Sequence, residues 1–122
     1  MTGTWEISFY PDFELEFDEL SEAVQDELLA KAALLENFGP FLGRPNVDNL
    51  HGSRYANMKE LRFDAEGGVW RVAFAFDPNR RGILLVAGNK AGVGQARFYR
   101  QLIRQADNRY GEHLARLDGD RG

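Results

Sequence analysis

Met58-Lys59-Glu60-Leu61-Arg62-Phe63-Asp64, then Ala65-Glu66-Gly67-Gly68, then Val69-Trp70-Arg71-Val72-Ala73-Phe74-Ala75-Phe76, reads as two strands joined by a tight turn. A two-residue turn at Glu66-Gly67 and a four-residue loop from Ala65 to Gly68 give the same strand register. In that register Arg62 stands directly opposite Arg71. Like charges placed opposite each other cost stability in a sheet. A chain that keeps them there is suited to holding an anion between them. The plainer reading leaves Arg62 solvated, with Glu60 and Asp64 as ordinary partners.

Asp77-Pro78-Asn79-Arg80-Arg81-Gly82 is a turn signal, and Ile83-Leu84-Leu85-Val86-Ala87-Gly88-Asn89-Lys90 follows as a third strand. Pairing Phe76 with Ile83 puts Gly88 opposite Arg71 and Lys90 opposite Val69. Lys90 then lies diagonal to Arg71 on the same face, and three cations converge. A slip of one residue would send Lys90 to the other side.

Trp5-Glu6-Ile7-Ser8-Phe9 alternates as a short strand ended by Pro11-Asp12. Asp18 or Ser21 caps a helix running to about Asn37, with Leu20, Val24, Leu28, Ala32 and Leu35 as its apolar stripe. Val47 and Leu50 suggest one helical turn. Gln95 to about Leu117 returns to helical spacing, with Tyr99, Leu102, Ile103, Ala106, Tyr110, Leu114 and Leu117 on one stripe. Arg97, Arg100 and Arg104 share another face. Gly111 weakens that helix, which is expected to end near there and leave a frayed tail from Asp118. The order of elements predicts one α+β domain over residues 1–122, an antiparallel β-meander with packed helices.

The composition fits a folded globule: 43% hydrophobic, with nine Phe, two Trp and four Tyr. Cysteine is absent, which excludes disulfides and thiolate metal sites and suits a cytoplasmic protein. Residues 1–6 carry no basic or apolar run of a signal peptide, and no stretch approaches the roughly 18 apolar residues of a membrane span. The net charge of −4 conceals a polarity. Residues 1–30 carry nine acidic side chains and no basic one, whereas residues 44–100 carry ten basic against five acidic. A basic middle segment can meet a polyanion despite an acidic mean.

His51 and His113 are the two histidines, and no His/Asp/Glu spacing matches a metal site. The expectation is a metal-free, cofactor-free, cation-lined concavity. Cations placed there would stabilise the extra charge on phosphorus as a 2′-hydroxyl attacks an RNA phosphodiester. A Lys, Tyr or His could move the proton. Lys59 falls on the opposite face from Arg62 by strand parity, and would need a twist to reach. Tyr55 and His51 lie on the preceding loop, and Tyr55 is expected to be exposed and to stack on a base. Tyr99 is assigned to the core. Tyr55, Lys59 and Arg97 are the candidate RNA contacts, and Arg62, Arg71 and Lys90 the candidate catalytic residues. Replacing Arg71 or Lys90 is expected to leave folding intact.

Glu60-Leu61-Arg62-Phe63, the run Gly67 to Phe74, the strand ending in Lys90, and a helix carrying Ala106-Asp107 and Arg109-Tyr110 together resemble the RelE/ParE toxin superfamily. The nearest likeness is to its phage-derived HigB-like branch, and it covers roughly residues 50–114. The resemblance implies a RelE-like fold and a ribosome-dependent mRNA endonuclease of a type II toxin–antitoxin system. It also implies a helix-turn-helix antitoxin as partner, and Arg62, Arg71 and Lys90 approaching the scissile phosphate. The chain departs from the branch in ending its strand Gly88-Asn89-Lys90-Ala91 and in its acidic net charge. The same fold hosts gyrase-inhibiting toxins. A non-catalytic antitoxin-binding or phage regulatory module is a third reading.

Overall fold

The computed structural model describes residues 5–121. Residues 1–4, which belong to the N-terminal segment without a signal-peptide run, and Gly122 lie outside them. Five strands, β1 (Glu6–Phe9), β2 (Val47–Asn49), β3 (Lys59–Ala65), β4 (Gly68–Phe76) and β5 (Arg81–Asn89), form one sheet in the order β1-β5-β4-β3-β2. The class is α+β, and β3, β4 and β5 form the expected antiparallel meander. β1 is added in parallel beside β5, making the sheet mixed.

The β3–β4 turn follows from its residues. Glu66 (φ 51°) and Gly67 (φ 75°) both take left-handed backbone, the two-residue turn that matches sheet twist. Ala65 therefore pairs with Gly68, and Arg62 with Arg71. The next hairpin differs from expectation. Pro78, Asn79 and Arg80 form a three-residue loop with Arg80 left-handed (φ 64°), which pairs Phe76 with Gly82, not Ile83. A bulge then restores the register: Phe74 pairs with Leu84 and Ala73 with Val86, leaving Leu85 as the extra residue. Arg71 consequently faces Gly88, and the Lys90 amide donates to the Val69 carbonyl at 2.8 Å. The bulge is held by Arg109, which donates to the Leu85 carbonyl at 2.7 Å while forming a two-pronged ion pair with Glu16.

Three helices cover the sheet: α1 (Pro11–Asp18), α2 (Glu22–Phe38) and α3 (Gln95–Arg121). Pro11, read as a break, also opens α1 at a first-turn position where its missing N–H costs nothing. Ser21 caps α2 by accepting from the Val24 amide. α2 packs on β3 and β1, and α3 on β4 and β5. Val24, Leu28, Ala32 and Leu35 are buried in the core, so the apolar stripe of α2 is not free for another chain. Val47 belongs to an edge strand, not a helical turn, because it pairs with Leu61. α3 runs through Gly111 to Arg121 and does not end at the glycine. A Cβ at Gly111 would lie 3.0 Å from the Tyr55 hydroxyl, so the missing side chain admits Tyr55. Among the described residues, no helix is long and apolar enough to cross a membrane.

Candidate functional site

Alternation along the strands decides what faces α3. Glu60, Arg62, Arg71 and Gly88 share one side of the sheet. A side chain at Gly88 would meet the Phe98 ring at 2.9 Å, so glycine lets α3 settle close over Arg71. Beside this contact opens a cleft of about 450 Å³. β3 contributes Glu60 and Arg62, the end of β5 contributes Lys90, α3 contributes Gln95 and Tyr99, and the β2 segment contributes Asp48 to His51.

The three candidate cations are brought together, each in a different state. Arg62 is partly exposed and reaches Asp48 and Glu60, each at 3.8 Å. Arg71 has a side chain only 7% exposed; its Nη1 donates to the Trp70 carbonyl at 2.9 Å. Lys90 is half-buried, with Nζ 5.5 Å from the centre of the Tyr99 ring. Burial lowers the Lys90 ammonium pKa from its ordinary value, and the charges of Arg71 and Arg62 lower it further against Glu60. A bound anion would relieve that repulsion.

Two residues missed by the sequence reading complete the cleft. Glu60, 6% exposed, lies between Arg62 and Arg71. Its parity with Arg62 was the available signal. The Tyr99 hydroxyl lies near Glu60 and Arg71; burial raises its pKa, and the neighbouring Glu60 carboxylate adds to the rise while Arg71 opposes it. Tyr99 sits at the edge of the helical stripe, which is why periodicity assigned it to the core. Phe98, Leu102, Ala106 and Tyr110 hold the buried positions instead.

The proposed RNA contacts do not enter this cleft. Lys59 points to the α2 side and donates to the Pro40 carbonyl at 3.1 Å, as parity dictates. Tyr55 is half-buried rather than exposed, because it packs edge-on against Tyr110 with ring centres 4.9 Å apart. Arg97 is exposed on α3 but does not line the cleft. His51 does line it. Its loop is tied to α3 by Asp107, which accepts from the Ser53 hydroxyl at 2.5 Å and the Arg54 amide at 3.1 Å. Among the described residues, no group of three His, Cys, Asp or Glu side chains could hold a metal ion.

The fold and the cleft together define a small α+β protein that presents convergent cations and a tyrosine at the edge of a helix-covered meander. Residues 15–111 match the family described as phage derived protein Gp49-like (DUF891), and the chain belongs to that family. It is 42% identical over 113 residues to the protein named "Putative toxin HigB3" of Mycobacterium tuberculosis (strain ATCC 25618 / H37Rv), covering 93% of this chain and 96% of that one. It is 44% identical over 100 residues to "Putative toxin HigB2" of the same organism, covering 81% of this chain. The chain spans 49% of the length of HigB2. No solved structure matches it significantly.

Proposed function

We propose that this protein is the toxin of a type II toxin–antitoxin system and cleaves mRNA on the ribosome. The observation that carries the reading is the convergence of Arg62 and Lys90 on one cleft, with the buried Arg71 close enough behind them to join burial and Arg62 in holding Lys90 below its ordinary pKa. Such a site gains most from an anion whose charge grows during reaction. As the 2′-oxygen attacks phosphorus and the 5′-oxygen leaves, the exposed ends of Arg62 and Lys90 stabilise the non-bridging oxygens. Arg71, buried behind them, supplies fixed positive field. Tyr99 and His51 stand at the cleft as groups able to move the proton. The names of the two mycobacterial relatives support the toxin assignment.

The partners follow from the activity. A ribosome with its mRNA is the target, which places the protein in the cytoplasm. A cognate helix-turn-helix antitoxin neutralises it and co-purifies with it. Induced expression tests the reading: translation should stop rapidly, with mRNA cut at codon-level positions, and co-expression of the antitoxin should restore growth. A DNA-damage response with intact mRNA would instead indicate gyrase as the target. Growth unaffected by the folded protein would leave an antitoxin-binding module without activity.

A further inference from the structure

The outer face of α3 is a second basic surface. Its exposed residues between 97 and 108 are Arg97, Arg100, Gln101, Arg104, Gln105 and Asn108. This face carries no acidic side chain, although the chain as a whole is acidic. Asp107, the one carboxylate in that stretch, is turned inward to Ser53 and the Arg54 amide. Among the described residues, no carboxylate forms an ion pair with Arg97, Arg100 or Arg104. Among the other surface arginines, Arg44 pairs with Asp48, Arg81 with Glu6 and Arg116 with Glu112, while Arg54 and Arg80 lie over the Tyr55 and Trp5 rings. An unneutralised row of three arginines on one rigid helix is therefore a local departure from the rest of the surface.

The geometry points to the phosphate backbone of double-helical RNA as its ligand; we propose that α3 docks such a duplex while the cleft takes a single strand. Helical rise sets Arg97 and Arg104 about 10 Å apart along the axis, a span that follows successive phosphates on one strand. The face carries no aromatic side chain, because Tyr99 turns to the cleft. Unpaired bases could stack only on the arginine planes, which would take those guanidiniums from the phosphates, so a single strand gains less here than a duplex. A duplex hides its bases and shows phosphates and 2′-hydroxyls, which arginine and the amides of Gln101, Gln105 and Asn108 can meet. Tyr99 and Gln95 place this face on the same helical turns that line the cleft, so both RNA elements can be engaged at once. The choice of RNA over DNA rests on the ribonuclease reading.

The test is binding of the full chain to a fluorescent 20-base-pair RNA duplex, and to the DNA duplex of the same sequence, across a salt series. R97Q/R100Q/R104Q should bind the RNA duplex about 100-fold more weakly than wild type at 0.15 M salt, with the log–log salt slope reduced by about 3. Its melting temperature should be unchanged. The three single variants, each expected to reduce the slope by about 1, keep the test decisive should the triple variant fold poorly. Unchanged RNA affinity in all four would overturn the surface, and equal or tighter binding of DNA would overturn the choice of ligand. Wild type that binds the duplex as expected but leaves mRNA uncut would sink the ribonuclease reading and leave this surface standing.

Discussion

Glu60 Oε1 and Arg71 Nε face each other at 3.8 Å, both side chains are buried, and neither of these atoms has a hydrogen-bond partner. The pair is close enough to neutralise but too far apart to bond. It forms the floor on which the exposed cations of the cleft rest. The sequence reading treated Arg71 as a surface charge, and its burial changes what substitution there means.

Arg71→Ala should unfold the protein more easily, because it removes the buried one of the two cations that face Glu60 and leaves only the partly exposed Arg62, at 3.8 Å. Breaking such a pair costs about 3–5 kcal/mol, which in a domain of this size lowers the melting temperature by roughly 10 °C or more. Glu60→Met with Arg71→Met should recover most of that loss, since an apolar pair removes both buried charges together. Thermal unfolding of the two single variants and the double variant measures this. Single variants as stable as wild type would show that the pair is solvated.

Arg62→Ala and Lys90→Ala separate chemistry from folding where Arg71 does not. Both side chains reach solvent, and such changes usually alter stability by no more than about 0.5 kcal/mol. Removing a donor to developing charge costs about 10²–10³ in rate. Each variant should therefore stay folded and antitoxin-bound while losing growth arrest. Full toxicity in both, read beside their melting curves, would remove the cleft from consideration as the active site.

Lys90 links the cleft to alkaline pH. Burial, with Arg71 and Arg62 adding to it, puts its folded pKa below the ordinary 10.5. Below the folded value Lys90 is charged in the folded and unfolded chain alike, and the folded state bears the full cost. As pH rises from the folded value towards 10.5, the folded chain sheds the proton first and the cost lifts. Lys90→Met should thus be more stable than wild type at neutral pH, and the gap should close at alkaline pH. Denaturant unfolding of both proteins across that range tests it, and a constant gap would contradict the assignment.

At the far end of the meander, Asp77 fastens the β4–β5 turn to α3. Its carboxylate lies 2.7 Å from His113 Nε2 and accepts from the Asn79 and Arg81 amides. Burial alone would raise the Asp77 pKa, but His113 and the two amides outweigh it and hold the carboxyl below its ordinary 3.8. The stability it contributes is present above that ordinary value and is lost as pH falls through the folded one. Asp77→Ala should cost about 1.5–3 kcal/mol at neutral pH, the worth of hydrogen bonds to a charged group, and progressively less in acid. Because Asp77 does not line the cleft, any remaining folded fraction should cut mRNA normally.

The first hairpin was legible because its determinants are local: strand alternation and the left-handed preference of the Glu66-Gly67 turn fix Arg62 against Arg71. The position of Lys90 was reached through two differences that cancel. The Pro78–Arg80 loop holds an odd number of residues, and the bulge at Leu85 adds one more to β5. Neither is visible in hydrophobic pattern, since the bulge depends on Arg109 finding a carbonyl 24 positions away. The same limit hid the tie from Asp107 to the loop at Ser53, the packing of Tyr55 on Tyr110, and the burial of Arg71. Each arises only when α3 closes over the sheet, and no spacing within one strand encodes what another element will cover.

The cleft draws on β3, β5 and α3, and α3 is the last of these to be synthesised. Domains build from the N-terminal side as the chain emerges. While α3 is still being made, the meander has no Tyr99 or Gln95 beside it, the His51 loop lacks its Asp107 tether, and the Leu85 bulge lacks Arg109. The order of translation itself therefore delays the appearance of the cleft until the helix that completes it has docked.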